Sequence, residues 1–191
     1  MKAVMLEVPE DLLAERRRLG ADRWDEMWDG VLHMVPAPSG PHQRFATRLM
    51  MVLFPIAEAK GLVGSHETEL YRPAVGRADY RIPDLVFARP EHSTERGVEG
   101  RAELAVEIRS PGDETYDKLP FYGEMEVQEL LVVDPKTCAV ELFTLAGGVL
   151  RAGALRSEAL GVSFATVDGP ALRVAWAGGA ADVHGGTAPI S

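Results

Sequence analysis

Residues 81–88 read RIPDLVFA, and this stretch decides the prediction of the fold. Residues 85–88 form an uninterrupted apolar run, which is typical of a central strand buried on both faces. Pro83 and Asp84 stand immediately before the run, where turn residues commonly open a strand. Apolar and polar side chains alternate over residues 102–109, which predicts a second, half-buried strand. The sequence therefore predicts a sheet with a buried strand that begins beside an acidic residue.

Further elements are predicted around these two strands. Apolar residues recur at spacings of four, three and four from Phe45 to Ile56, a pattern typical of one stripe of a helix. Ser39 is expected to cap this helix, and Pro55 is expected to kink it or end it early. The elements follow in the order strand, helix, three strands, helix, strand, strand. This order predicts a mixed α/β arrangement with a helix on each side of a sheet.

Three segments are predicted along the chain. Residues 1–28 are expected to form a polar, partly helical lead-in, and residues 29–146 the α/β core. The sequence becomes rich in Gly and Ala near residue 147, so residues 147–191 are expected to form an extra β-rich extension. Residues 178–191 are small and polar enough to be a loose tail.

The composition excludes several classes of protein. Of the 191 residues, 46% are hydrophobic and 26% are charged, which is ordinary for one globular domain. No apolar run reaches the ~20 residues of a membrane helix, and residues 1–20 lack the apolar centre of a secretory signal. The single Cys138 excludes an intramolecular disulfide and a zinc site with two thiolates from one chain. These features favour a cytoplasmic location without a membrane partner.

The net charge of −9 restricts the ways in which nucleic acid could bind. A surface of this charge repels a polyanion in bulk, so binding requires a local basic patch. The candidates for such a patch are Arg44, Arg48, Arg81 and Arg109.

Two acidic residues are candidates for a metal site. If the strands at residues 85–88 and 102–109 are neighbours, Asp84 and Glu107 converge near one edge. Together with the carbonyl oxygen of Ile108 they would form a hard-oxygen site, which Mg²⁺ prefers. A divalent ion would also explain how both carboxylates could be ionised in a buried place. The structural alternative stays open, because Pro-Asp often only opens a strand and a Glu on an alternating strand often faces solvent.

Lys118, Tyr122 and His42 are further candidates. Lys118 and Tyr122 are four residues apart, so a helix would place both on one face. The Lys118 ammonium group could neutralise charge on a metal-bound phosphate. His42 stands at the start of the first predicted helix, where free N–H groups attract anions. The alternatives are a surface lysine over the sheet and a partly exposed histidine. The sequence has no Walker loop, nucleophile elbow, zinc-protease motif or dinucleotide fingerprint.

Six short stretches stand in the same order as the motifs of a known superfamily. They are residues 29–32, 38–42, 81–84 and 106–111, Lys118 with Tyr122, and residues 127–135. They resemble motifs of the PD-(D/E)XK superfamily of restriction-endonuclease-like nucleases, and the closest resemblance is to its bacterial Uma-two family. The matching region extends over roughly residues 26–145.

The resemblance implies a restriction-endonuclease-like fold, in which a mixed central sheet is flanked by helices. It implies Mg²⁺- or Mn²⁺-dependent hydrolysis of DNA phosphodiester bonds, with Asp84 and Glu107 as metal-binding acids and Ile108 lending its carbonyl. It also implies a homo-oligomer. The further residues expected to act in catalysis or substrate binding are Arg109, Lys118, His42, Tyr122, Arg81 and Arg44.

Two of the departures from the family pattern concern catalysis, while Glu126 and Leu130-Leu131 depart from it only in packing. Arg109 stands where the (D/E)XK triplet has Lys, and an arginine cannot act as a base, so it could only clamp phosphate or stabilise charge. Lys118 would supply the missing ammonium group. Val31 stands where the family often has Glu. Two alternatives to a nuclease follow, namely a binding or assembly module with a decayed site, and a hydrolase of small phosphodiesters, which would suit an acidic protein.

Overall fold

A computed structural model describes residues 3–6, 8–110, 112 and 114–185. Pro111 and Asp113, which belong to the predicted break after the second strand, lie outside the described residues. The same holds for residues 186–191 of the predicted tail.

Short strands dominate the chain, and three α-helices lie among them in the described part. The first half contains β1 (Ala3–Met5), α1 (Glu10–Leu19), β2 (Glu26–Trp28), β3 (Val31–Met34), α2 (Gly40–Glu58), β4 (Val63–His66), β5 (Glu69–Tyr71), β6 (Tyr80–Arg81) and β7 (Leu85–Ala88). The second half contains β8 (Gly97–Glu99), β9 (Leu104–Ile108), a 3-10 turn (Thr115–Lys118), α3 (Leu119–Glu124), β10 (Glu129–Val133), β11 (Val140–Ala146), β12 (Val149–Ala152), β13 (Arg156–Ser157), β14 (Val162–Val167), β15 (Ala171–Trp176) and β16 (Gly179–His184). No described helix is both long and apolar enough to cross a membrane.

The central sheet has the strand order β12-β11-β10-β9-β7-β4 and is mixed, because β9 and β10 are parallel while the other pairs are antiparallel. In the antiparallel pair of β7 and β9, Leu85 lies opposite Val106. Asp84 directly precedes Leu85, and Glu107 directly follows Val106. The register therefore brings both acids to the same end of two neighbouring strands.

A helix covers each face of this sheet, which confirms the predicted layers. Successive residues of a strand point to opposite faces, and β7 is buried on both. Phe87 belongs to one core cluster with Leu49 and Leu53 of α2. Val86 belongs to a second cluster with Phe121 of α3. The run of apolar residues in β7 is explained by these two cores.

Helix α2 begins as the sequence predicts and ends later. The Ser39 side chain accepts a hydrogen bond from the His42 N–H and so caps the helix. The expectation that Pro55 ends the helix early is wrong, because α2 continues to Glu58. Ala57 in the last turn is fully buried, and its packing helps to compensate for the N–H that proline lacks.

A second sheet, with the order β1-β3-β2-β6-β5-β8, includes the hairpin of β2 and β3. The two-residue turn of this hairpin consists of Asp29 and Gly30, which both have positive φ, the geometry that suits the twist of paired strands. The resulting register places Glu26 opposite His33.

The C-terminal extension forms a third sheet, with the order β13-β14-β15-β16, while β12 joins the central sheet. Leu172 and Val183 of this third sheet belong to the same core cluster as Leu49 of α2. The third sheet thus packs against the core that α2 forms with the central sheet. Gly179–His184 were expected to be part of a loose tail, and this is wrong: they pair with β15, and backbone pairing does not require large side chains.

A buried carboxylate connects the third sheet to the central one. Glu129 of β10 is 4% exposed. Its oxygens accept hydrogen bonds from the Ser157 hydroxyl, from the Glu158 N–H at 2.7 Å and from the Ala159 N–H at 3.4 Å. These donors lie at the end of β13 and in the turn that follows it, so Glu129 fixes the start of the third sheet against the central sheet.

We expect Glu129→Ala to destabilise the fold by about 2–4 kcal/mol, because buried donors left without an acceptor cost ~1–3 kcal/mol each. Thermal denaturation followed by circular dichroism measures the loss. The matched control is Glu158→Ala, since this neighbouring side chain is 79% exposed and its removal should change stability by less than ~0.5 kcal/mol. Equal melting temperatures for the two variants would contradict the assigned role of Glu129.

Candidate functional site

A cavity of about 320 Å³ lies at the end of β7 and β9 where the two acids meet. Its described lining contains two chemically different sets of residues. The ionisable set includes Asp84, Glu107, Glu26, Lys118 and His42. The apolar set includes Trp24, Val35, Pro36, Pro38 and Ile82.

Asp84, Ile108 and His42 form one side of the ionisable set. The Ile108 N–H donates to Asp84 Oδ2 at 2.6 Å, which fixes the carboxylate against the end of β9. His42 Nε2 donates to the Ile108 carbonyl oxygen at 2.8 Å and lies 3.3 Å from Asp84 Oδ1. The capped start of α2 positions this histidine. Burial opposes the protonation of His42, but the hydrogen bond and charge of Asp84 outweigh burial and raise the pKa of His42 above its usual value.

Glu107, Lys118 and Tyr122 form the other side. Lys118 Nζ lies 3.0 Å from Glu107 Oε1, and the Tyr122 hydroxyl donates to the same oxygen. Lys118 ends the 3-10 turn and Tyr122 follows one turn later in α3. Lys118 and Tyr122 therefore lie on one face, as predicted, and both reach Glu107 from it.

Glu26 is a member of the site that the sequence did not predict. Its Oε1 lies 2.8 Å from Lys118 Nζ and accepts from the Ile82 N–H at 2.9 Å, while its Oε2 accepts from Trp28 Nε1 at 2.9 Å. The sequence feature that could have indicated Glu26 is the Asp29-Gly30 turn, because a two-residue hairpin turn fixes the register of β2. Only the neighbouring sheet, however, shows that Glu26 faces inward.

The three ionised groups at the centre of the site affect one another strongly. Burial is the largest cause, and together with the charges of nearby Asp84 and Glu26 it raises the pKa of Glu107 to about 7, against the opposing effects of Lys118 and of the Tyr122 hydrogen bond. Burial would also raise the pKa of Glu26, but Lys118 and the N–H donors lower it below its usual value. Burial would lower the pKa of Lys118, yet the two carboxylates raise it well above its usual range. One ammonium group thus compensates Glu26 better than Glu107.

The other predicted residues lie outside the described lining of the cavity. Tyr122 is fully buried behind Glu107. Arg81 is buried, bonded to Asp79 and packed over the rings of Trp28 and Phe121. The structure places these two residues beneath the site.

Two arginines are separated from the cavity. Arg109 follows Ile108 on the strand, and its guanidinium lies over the ring of Tyr116, 5.2 Å from the ring centre. Arg44 is exposed on α2. Substrate contacts by Arg109, Arg44 and Arg81 stay predictions.

The donor set suits a hard divalent cation. Among the described residues, no three His, Cys, Asp or Glu side chains are grouped in the arrangement of a metal site. A cation here would instead use two carboxylates and the backbone carbonyl of Ile108, and Mg²⁺ usually completes such a set with water. If all carboxylates are ionised, Asp84, Glu107 and Glu26 with Lys118 leave two negative charges, which one divalent ion would neutralise.

Comparisons with known proteins identify the family and the fold. The model of a protein family described as "Uma2: Putative restriction endonuclease" matches residues 14–166. The chain is also similar to a solved structure of "a putative nuclease belonging to DUF820 from Anabaena variabilis ATCC 29413", with a TM-score of 0.56 and 14% identity, over 75% of this chain and 80% of that chain. At this identity the likeness shows a shared fold. No curated protein matches the sequence.

The raised pKa of Glu107 predicts that the metal-free protein loses stability as the pH rises. The unfolded carboxyl ionises near its usual pKa of 4.5, whereas the folded one ionises near 7. Between these values the unfolded state holds fewer protons, so the free energy of unfolding falls with increasing pH. In EDTA, the melting temperature should decrease between about pH 5 and about pH 8 by several degrees more in the wild type than in Glu107→Gln.

The exposed carboxylate variant Glu158→Gln is the control for this comparison and should follow the wild type. Identical pH profiles for Glu107→Gln and the wild type would show that Glu107 ionises normally.

Proposed function

The chain belongs to the Uma2 family, whose model matches residues 14–166, and on this premise we propose that it hydrolyses phosphodiester bonds in DNA with a divalent metal ion, Mg²⁺ or Mn²⁺. The observation that supports this function best is the register of β7 and β9, which places Asp84 and Glu107 at one end of the strand pair. Lys118 lies within 3.0 Å of one of these acids. Two acids and an ammonium group beside one cavity suit an attack on a phosphodiester.

Asp84, Glu107 and the Ile108 carbonyl would hold the ion. When bound, the ion would activate a water molecule and polarise the scissile phosphate. The hydrogen bond from the Ile108 N–H keeps the Asp84 carboxylate beside the Ile108 carbonyl. His42 Nε2 contacts the Ile108 carbonyl oxygen and Asp84 Oδ1, and so holds the carbonyl and the carboxylate in place. From this position His42 would also contact the phosphate.

Lys118 would stabilise the negative charge that develops on the phosphate. A fixed ammonium group in a site with little water stabilises such charge more than the same group in solvent. Its side chain is only 12% exposed and has two carboxylate partners, Glu26 and Glu107. Glu26 is therefore a positioning residue, because it would hold Lys118 in place and would not itself bind the metal ion.

A second candidate is the hydrolysis of small phosphodiesters. A cavity of about 320 Å³ is at the lower end of the ~300–1,000 Å³ range of small-molecule sites. The homo-oligomer and the cytoplasmic location stay predictions.

We expect Asp84→Ala to abolish metal-dependent cleavage of plasmid DNA and to weaken binding of the divalent ion. The loss of a partner behind a metal ligand already costs ~10–100-fold, so loss of a ligand should lower the rate by more than about 100-fold. Plasmid cleavage with Mg²⁺ or Mn²⁺ and isothermal titration calorimetry with the metal measure the two effects.

Asp182→Ala is the matched control for this experiment, because Asp182 lies on β16 and pairs only with Arg173 among its described contacts. This control should retain full activity. Equal cleavage by Asp84→Ala and the wild type would end the proposal. Absence of divalent binding by the wild type would favour the binding or assembly module.

We expect Glu26→Gln to lower kcat by about tenfold while the affinity for Ca²⁺, used as a non-reacting ion, changes little. The substitution removes the charge that holds Lys118, and Lys118 acts on developing charge rather than on the bound ion. Steady-state kinetics on an oligonucleotide and calorimetry separate the two quantities. Glu158→Gln, whose side chain is 79% exposed, is the control. An unchanged kcat, or a loss of metal affinity equal to the loss of rate, would contradict a positioning role.

A further inference from the structure

We propose that the cavity beside the acids binds a single unpaired nucleotide, so that the substrate presents a single strand rather than an intact duplex. This inference rests on the proposed function for the bond that is broken. The binding site itself is inferred from the shape and chemistry of the cavity, and it can be tested without cleavage.

The lining of the cavity suits a ligand with one charged part and one flat apolar part. Asp84, Glu107 and Lys118 provide a polar end that suits a phosphodiester with its metal ion. Trp24 and two prolines belong to the apolar part of the same lining. Among the components of DNA, a nucleotide whose base is not paired combines both parts.

The apolar part offers stacking rather than hydrogen bonds. Pro36 and Pro38 have no backbone N–H and therefore cannot donate to a base. Trp24 is partly exposed, and the guanidinium of Arg23 lies 5.2 Å from the centre of its ring. Aromatic rings and arginine are the groups on which unpaired bases stack without regard to sequence.

The charges of the site disfavour a duplex. Binding of duplex DNA depends on Lys and Arg contacts to many phosphates. The cations in the described lining are Lys118 and His42, and both already contact carboxylates or a carbonyl. The chain has a net charge of −9. In a duplex-binding protein, phosphate neutralisation would supply the affinity. Here the affinity must come from base stacking instead.

The size of the cavity agrees with one nucleotide. A volume of about 320 Å³ is at the lower end of the ~300–1,000 Å³ range of small-molecule sites, which suits one nucleotide better than a segment of duplex. A nucleotide without a pairing partner reaches such a cavity most directly from a single strand.

Fluorescence anisotropy with the full chain tests the inference directly. The probes are a labelled oligothymidylate of about twelve nucleotides, the same strand annealed to its complement, and a strand of equal length with abasic residues, all with Ca²⁺. We expect the oligothymidylate to bind at least about tenfold more tightly than the duplex or the abasic strand, because only it offers free bases. The abasic strand has the same phosphates, so binding equal to that of the oligothymidylate would overturn the inference. Tighter binding of the duplex would do the same.

Variants of two tryptophans locate the site. Trp24→Leu removes the ring but keeps apolar bulk, and it should weaken binding of the oligothymidylate by about tenfold while leaving duplex binding unchanged. Trp176→Leu is the matched control, since Trp176 lies on β15 at the separate cavity beside α2. Melting curves verify that both variants fold. Equal affinity of Trp24→Leu and the wild type would overturn the assignment of the stacking surface.

Cleavage assays with Mg²⁺ or Mn²⁺ on the same probes distinguish this inference from the proposed function. Base-dependent binding of the single strand without any cleavage would support the nucleotide site and contradict the nuclease. Cleavage of the duplex without cleavage of the single strand would support the nuclease and contradict the nucleotide site. A single-stranded RNA of the same sequence shows whether the site selects the sugar.

Discussion

A single ammonium group, that of Lys118, lies between two buried carboxylates, and the rest of the site depends on this contact. Lys118 Nζ is 2.8 Å from Glu26 and 3.0 Å from Glu107. A buried charge without a partner costs free energy. Because Lys118 carries a single positive charge, it can fully neutralise only one of the two carboxylates. Glu26, with further N–H donors, has the lower pKa, while Glu107 has a raised one. The protein therefore holds at Glu107 a carboxylate that gains from an additional cation.

Three distant pieces of chain must meet for this contact to exist. The tight Asp-Gly turn sets the register of β2 and so the place of Glu26, and β9 presents Glu107. The 3-10 turn before α3 presents Lys118. None of these elements would place its residue correctly alone, because β2 belongs to the second sheet and β9 to the central one. The contact is consequently formed only when both sheets have assembled.

The sequence predicted the parts of the site that depend on neighbouring strands and on local helical spacing. Asp84 and Glu107 could be paired because both flank apolar strands, and Lys118 could be grouped with Tyr122 because four residues separate them. Glu26 could not be found in this way, since its partners are 56 and 92 residues away in the chain. Arg109 was misleading for a different reason: it lies just beyond the end of β9, and its guanidinium packs over the ring of Tyr116 instead of lining the cavity. The pairing of Gly179–His184 was hidden because their small side chains show no apolar pattern.

The energetics of the site favour a functional explanation over a structural one. A fold gains no stability from two acids at the end of a buried strand pair, and replacing buried ion pairs by apolar residues is often neutral or stabilising. The stability of the chain comes from elsewhere, namely from the core that α2 forms with the central and third sheets and from the hydrogen bonds by which Glu129 fixes the start of the third sheet. A decayed site would be free to lose its surplus of negative charge by any substitution at Glu26 or Glu107. The described residues instead keep three carboxylates, those of Glu26, Asp84 and Glu107, around the one ammonium group of Lys118 at the cavity. Under the proposed function, a divalent cation would offset this negative charge, and a ligand with a phosphodiester would bind beside that cation.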